Sequence, residues 1–74
     1  PPSDIVNFQL QLNEEVEVKL DIYSMTGQLL QSFTPQNSLY QNYRADLSEY
    51  PAGMYMARII IGTEVVTTKI VLKK

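Results

Sequence analysis

The chain contains neither cysteine nor histidine. The first absence excludes disulfides and thiolate metal sites, and removes the strongest nucleophile available near neutral pH. The second removes the side chain whose charge changes near neutral pH, and with it the usual general base. Glycine occurs only at positions 27, 53 and 62, each at a break between alternating segments. No glycine-rich phosphate loop can be assembled from them. There is no apolar run of the ~18 residues that a membrane-spanning helix needs. The first residues lack the basic and apolar regions of a signal peptide. The Pro1-Pro2 start, without an initiator methionine, leads us to expect a piece excised from a longer polypeptide.

Charge is scarce as well. The net charge is −2, and the cations are scattered apart from the terminal pair Lys73-Lys74. That balance argues against nucleic acid, which is bound through a basic patch. With 74 residues the chain makes one small domain, residues 1–74, with a limited core. No disulfide or thiolate metal site is available to support it, and support from a neighbouring domain or partner is a second possibility.

What is present is period-two alternation. Val6, Phe8, Leu10 and Leu12 alternate with Asn7, Gln9 and Gln11, and Val16, Val18, Leu20 and Ile22 with Glu17, Lys19 and Asp21. Both runs read as half-buried strands. The short connection Asn13-Glu14-Glu15 predicts that they form a hairpin. Gly27 fits the left-handed position of a bulged loop, after which a third strand runs from Gln28 to about Phe33. Residues 35–38 read as a loop across which the chain changes sheets. A fourth strand spans about Tyr40 to Leu47, with Tyr43, Ala45 and Leu47 inward. A fifth covers about Met54 to Ile61, with Tyr55, Ala57, Ile59 and Ile61 on one face. Gly62-Thr63 reads as a two-residue turn, with glycine in first place favouring type II′. The sixth strand, Glu64 to Leu72, puts Val66, Thr68, Ile70 and Leu72 inward. No segment carries a helical period. The fold class is all-β: an antiparallel, immunoglobulin-like or fibronectin-like sandwich of six to seven strands. Glu17, Lys19, Arg58 and Lys69 are the charges expected to blunt its edges.

The connection from the fourth strand to the fifth is the most telling segment. Pro51 presets φ for the second position of a type I turn and Gly53 suits the fourth. Tyr55 follows, where its ring can pack inward while its hydroxyl bonds the turn backbone, as in the corners of these sandwiches. Gly27, Gly53, Tyr55 and Gly62 are therefore assigned structural roles at turns and corner.

Candidate chemistry is thin. Glu14, Glu15 and Glu17, with Asp21, are the only acidic cluster that could hold a hard cation, but no calcium-loop spacing accompanies them. They read as a solvated hairpin tip and outward strand positions, and no metal, cofactor or catalytic group is assigned. A sandwich this small has little room for the cleft that a carboxylate pair would need. Tyr23, Tyr40 and Tyr50 are the candidates for a sugar-stacking surface. A more promising surface follows from the alternation. If Tyr55, Ala57 and Ile59 face in, then Met54, Met56 and Ile60 face out beside Val65, Thr67 and Val71, an apolar stripe of the kind that marks contact sites. The reverse orientation is also open, because residues 54–61 are apolar on both faces.

Four segments of the chain resemble a known family. Pro2-Ser3-Asp4 is similar to its opening motif, although the usual Asn-Pro pair is not intact. Leu20-Asp21-Ile22-Tyr23-Ser24-Met25-Thr26-Gly27-Gln28-Leu29-Leu30 resembles a block of alternating apolar residues, an aromatic, and a glycine followed by a polar and two apolar residues. Residues 47–59, with Pro51-Ala52-Gly53 and Tyr55 at their centre, resemble a second block, with Tyr50 where leucine is more usual. Lys69-Ile70-Val71-Leu72-Lys73-Lys74 resembles its closing strand. The family is the type A C-terminal sorting domain of the type IX secretion system of Bacteroidetes.

The resemblance implies an immunoglobulin-like, non-catalytic secretion signal behind a cargo domain N-terminal to residue 1. It implies passage through the periplasm and recognition by the outer-membrane translocon. It also implies delivery to the cell surface or release, commonly with a sortase-like cysteine peptidase removing the domain. On this reading Pro51, Ala52, Gly53, Met54, Met56, Lys69, Val71, Lys73 and Lys74 form the surface that the translocon recognises. Weak self-association through the apolar stripe is a further expectation. The alternative is a fibronectin-like accessory, carbohydrate-binding or spacer module of an extracellular protein.

Overall fold

A computed structural model describes residues 4–74. The opening Pro2-Ser3 of the family resemblance, and the Pro1-Pro2 start, lie outside the described residues. There are six strands among them: β1 (Ile5–Gln11), β2 (Val18–Ser24), β3 (Leu29–Ser32), β4 (Tyr40–Asp46), β5 (Gly53–Ile61) and β6 (Glu64–Leu72). They form two antiparallel sheets, a two-stranded sheet β1-β4 and a four-stranded sheet in the order β3-β2-β5-β6. The all-β sandwich expected from the alternation is the fold.

The core sits between the sheets and follows the period of two. Val18, Leu20 and Ile22 of β2, Tyr43 and Ala45 of β4, Leu47, Tyr55 and Ala57 of β5, and Ile70 and Leu72 of β6 are buried. Val6, Phe8 and Leu10 of β1 pack against them half-buried. Gln41 is the one buried polar side chain among the described residues. It is in phase with Tyr43 and Ala45, so the alternation places it inward as well. Its amide donates to the Ser38 carbonyl at 2.9 Å, and its Oε1 accepts the Tyr43 hydroxyl at 2.9 Å. A buried amide is tolerated because those bonds replace water.

The expected hairpin between the first two strands does not form. β1 pairs with β4, from Ile5 opposite Asp46 to Gln11 opposite Tyr40. β2 pairs with β3 and β5. Residues 13–17 instead carry the chain from one sheet to the other. The Leu12 amide donates to the Leu39 carbonyl at 2.8 Å on one side, and the Gly62 amide to the Glu17 carbonyl at 2.9 Å on the other. The chain does change sheets again between β3 and β4, as expected of residues 35–38. That segment is held along the edge of β2, where Gln36 and Val18 exchange two backbone bonds of 2.8 and 3.2 Å.

The turns agree with their glycines. Gly27 sits at φ +92, and its amide donates to the Ser24 carbonyl at 3.0 Å. The β2–β3 register slips between Ile22 and Tyr23, the expected bulge. Gly62 has φ +62, while among the described residues none other than glycine has positive φ. Those signs at Gly62 and Thr63 are those of a type II′ turn.

The edges differ from expectation. Lys19 and Arg58 lie in β2 and β5, the inner strands of the larger sheet, so they protect no edge. Of the charges named for that task, Lys69 alone lies in an edge strand, β6. The inward row of β6 is also only half covered. Ile70 and Leu72 are buried, but Thr68 is exposed and Val66 is 37% exposed. A two-stranded sheet is too narrow to cover a four-stranded one.

Candidate functional site

The corner between β4 and β5 organises one end of the sandwich. Its hydrogen-bonded turn lies earlier than the spacing implied. The Tyr50 amide donates to the Leu47 carbonyl at 3.1 Å, and the Ser48 amide to Asp46 Oδ1 at 3.0 Å. Hydrogen bonding from the Ser48 side chain, with the Ser48 amide second, holds the Asp46 carboxyl below its ordinary pKa. Pro51 and Ala52 therefore follow the turn rather than form it. They lead to Gly53, which opens β5 at φ +147 opposite Leu72. The Tyr55 ring is buried and its hydroxyl donates to the Pro51 carbonyl at 2.6 Å. A bond to the corner backbone is what was expected of that tyrosine, although its acceptor lies just after the turn. Tyr50, at the position where leucine is more usual, packs on Tyr55 with ring centroids 5.9 Å apart.

From Gly53 onward the alternation sends Met54, Met56, Arg58 and Ile60 to the outer face of the larger sheet. Opposite residues in an antiparallel pair share a face. Met54 faces Val71, Met56 faces Lys69, Arg58 faces Thr67 and Ile60 faces Val65. On the other flank, Tyr23 stands opposite Met56, Asp21 opposite Arg58 and Lys19 opposite Ile60. The stripe thus faces outward, and the reversed orientation is excluded by the buried Tyr55 and Ala57. It is not continuous. Arg58, Thr67 and Asp21 divide it into a small Ile60–Val65 end and a larger Met54–Met56–Val71 end.

The larger end is extended by residues that the sequence did not single out. Met25 and Leu29 are 51% and 52% exposed, and Leu29 stands opposite Tyr23. Met25, Met56, Thr67 and Lys69 share in lining a hollow of about 190 Å³. Met25 is invisible to alternation because it falls in the loop after β2. Lys69 and Lys73 are exposed and make no ion pair among the described residues. They give this end a positive margin on a chain that is negative overall.

Lys74 is not part of that margin. Its ammonium donates to the Ser48 carbonyl at 2.8 Å and lies 3.6 Å from Asp4 Oδ2, tying the chain end to the corner and to the start of β1. Of the nine residues expected to recognise the translocon, the structure gathers Gly53, Met54, Met56, Lys69, Val71 and Lys73 at one end of the larger sheet. Pro51 and Ala52 border that end as exposed corner residues.

The rival surfaces are dispersed. Tyr23 lies on the outer face of the larger sheet, Tyr40 opens β4 of the smaller one, and Tyr50 is packed in the corner. They make no common stacking plane. Asp21 is separated from the glutamates of the acidic cluster. Its Oδ1 accepts from Lys19 Nζ at 2.6 Å and from Ser32 Oγ at 2.7 Å. Burial opposes its ionisation, but those bonds and the nearby Arg58 outweigh it and hold its pKa below the ordinary value.

No described helix could cross a membrane. The face combines exposed apolar side chains with a cationic margin. No curated protein and no solved structure matches the chain. A family model described as the secretion system C-terminal sorting domain matches residues 1–73. That family is one of sorting signals rather than enzymes. The chain belongs to the C-terminal sorting domains of the type IX secretion system.

Proposed function

We infer that the domain directs a cargo protein, joined N-terminal to residue 1, across the outer membrane through the type IX translocon. The cargo crosses the periplasm and reaches the cell surface or the medium, and a sortase-like peptidase removes the domain there. The domain works as a folded signal. The observation that supports this reading is the coincidence of the family's blocks with one end of the sheet. Gly53, the outer residues Met54 and Met56, and Lys69 and Val71 of the closing strand lie there, with Pro51, Ala52 and Lys73 adjoining them in the chain. An exposed apolar centre supplies affinity on docking, and unpaired cations set orientation and approach. Lys74 is left out of this surface, because its bonds serve the fold.

The test is a reporter fused to the domain in a bacterium with the type IX machinery. The intact fusion is expected at the cell surface or in the medium. Lys69→Glu combined with Lys73→Glu should leave the reporter in the periplasm while the melting temperature of the isolated domain changes little, because exposed charges contribute little to stability. Lys74→Glu is the contrasting variant: it should lower stability through the lost Ser48 and Asp4 contacts. Retention of the intact fusion in the periplasm would overturn the sorting role. Normal export of the double reversal would overturn this surface and leave the role standing. Deleting residues 72–74 is a poorer test, because Leu72 belongs to the core.

A further inference from the structure

β6 is an edge strand with few of the usual protections, since Lys69 is the one charge between Val65 and Leu72. It runs for nine residues, Glu64–Leu72, with an unbroken register against β5. It has no proline, no bulge and no inward-pointing charge between Val65 and Leu72. Natural sheets blunt their edges with such devices, because an unpaired row of backbone N–H and C=O groups templates further pairing. Val65, Val66, Thr67 and Thr68 are consecutive β-branched residues, and all of them are exposed. Four such residues in a row favour an extended backbone and supply little reason for solvation.

Two further observations say what would pair there. On the inner face, Val66 and Thr68 are uncovered, beside the half-buried Ile59 and Ile61 of β5. A strand added to β6 would lay its inward residues beside that open apolar surface, so inward positions should be apolar. On the outer face, Lys69 and Lys73 have no acidic partner among the described residues. A strand added to β6 would bring its outward residues beside them, so outward positions should be acidic.

We propose that the free edge of β6 captures an extended partner strand whose residues alternate apolar and acidic, enlarging the sheet to five strands. Backbone bonds along the edge carry the affinity, and the alternation carries the specificity, as in other strand-addition complexes. A second copy of this chain fits less well. Its own β6 would bring another Lys69 and Lys73 to the edge, with Glu64 as the one acid in the strand. The inference does not rest on the export reading, because the edge pairs a strand whatever the domain is joined to.

The test uses the isolated domain and synthetic peptides of about ten residues, long enough to span the edge. One peptide alternates valine and glutamate, the second valine and lysine, and the third is the first with proline at its centre. Amide exchange of β6 is read by NMR. The valine–glutamate peptide should slow exchange of the outward-facing β6 amides about tenfold or more at millimolar concentration, and the effect should weaken with salt. The lysine and proline peptides should not. Val66→Lys should abolish the protection by placing a charge on the inward row, and its melting temperature should stay close to that of the parent because Val66 is already part-exposed. Lys69→Glu should shift preference toward the lysine peptide. Absence of protection by the glutamate peptide, or equal protection by both alternating peptides, would overturn the proposal. So would protection of the same amides with rising protein concentration alone, since the occupant would then be a second copy.

Discussion

Replacing Gly53 isolates a backbone cost that few positions offer so cleanly. Its φ of +147 is one that L-residues rarely adopt, yet a Cβ built there meets nothing within 4 Å. Sterics with neighbours are removed from the comparison, and the conformation alone remains. Holding a residue other than glycine in such a region costs about 1–3 kcal/mol. For a domain this small each kcal/mol lowers Tm by roughly 4–8 °C. Gly53→Ala should therefore lose roughly 5–20 °C and still fold, since a domain of this length has about 4–11 kcal/mol in hand. Gly53→Val should lose at least as much, with a further share from its branched Cβ, and not an amount scaled to its volume. Pro51→Ala is the control. It leaves the Tyr55 acceptor in place and should cost about 0.4–1 kcal/mol through the entropy of the unfolded chain. The assay is thermal and urea melting by circular dichroism, with the urea slope checked for constancy. A neutral Gly53→Ala would refute the conformational argument. A loss at Gly53→Val much larger than at Gly53→Ala would show that packing, rather than φ, sets the requirement.

Three further outcomes can be measured in the same way. Gly62→Ala should destabilise more than Gly27→Ala: both glycines have positive φ, but a Cβ at Gly62 would come 2.9 Å from Val16 Cγ2, while one at Gly27 meets nothing within 4 Å. Equal losses would show that the Val16 side chain yields at no cost. Tyr55→Phe should lose about 0.5–1.5 kcal/mol in a urea melt, the net contribution of one neutral hydrogen bond. An unchanged midpoint would mean that the 2.6 Å bond holds nothing in place. Asp21 has a lowered folded pKa, so its contribution is present above the ordinary carboxylate value and disappears as pH falls through the lowered one. Asp21→Asn should accordingly flatten the acid limb of the stability curve below about pH 4. A variant that keeps the parent's slope would show that other carboxylates dominate it.

Alternation made the strands and most of their inward rows legible, but buried Gln41, in phase with Tyr43, was not among the residues named as inward. Alternation could not say which strand pairs with which. A hairpin and a connection that arches between sheets both leave the inward residues of two successive strands facing one core. Val6, Phe8 and Leu10 would alternate identically in either arrangement. Only long-range pairing separates the two, and that depends on β4, whose Asp46 meets Ile5 from the far side of the β2–β3 segment. The corner was read better than its turn. Pro51 and Gly53 signal a reversal, but Asp46 and Ser48 offer a competing turn through the Asx bond, and that earlier turn is the one formed.

The face at the end of the larger sheet was legible in its β5 and β6 rows because both strands belong to one hairpin, whose register follows from the Gly62-Thr63 turn. Its third row was not, because Tyr23, Met25 and Leu29 reach it only through the β2–β5 pairing and the bulge. The same local and long-range division separates Lys73 from Lys74. Adjacent in sequence, they differ in fate because one follows the outer row of β6 while the other reaches across to the corner carbonyl of Ser48 and the carboxylate of Asp4. A closing pair of lysines thus splits its work between the surface and the fold. Charge reversal at Lys73 should be read in export, and charge reversal at Lys74 should be read first in the melt.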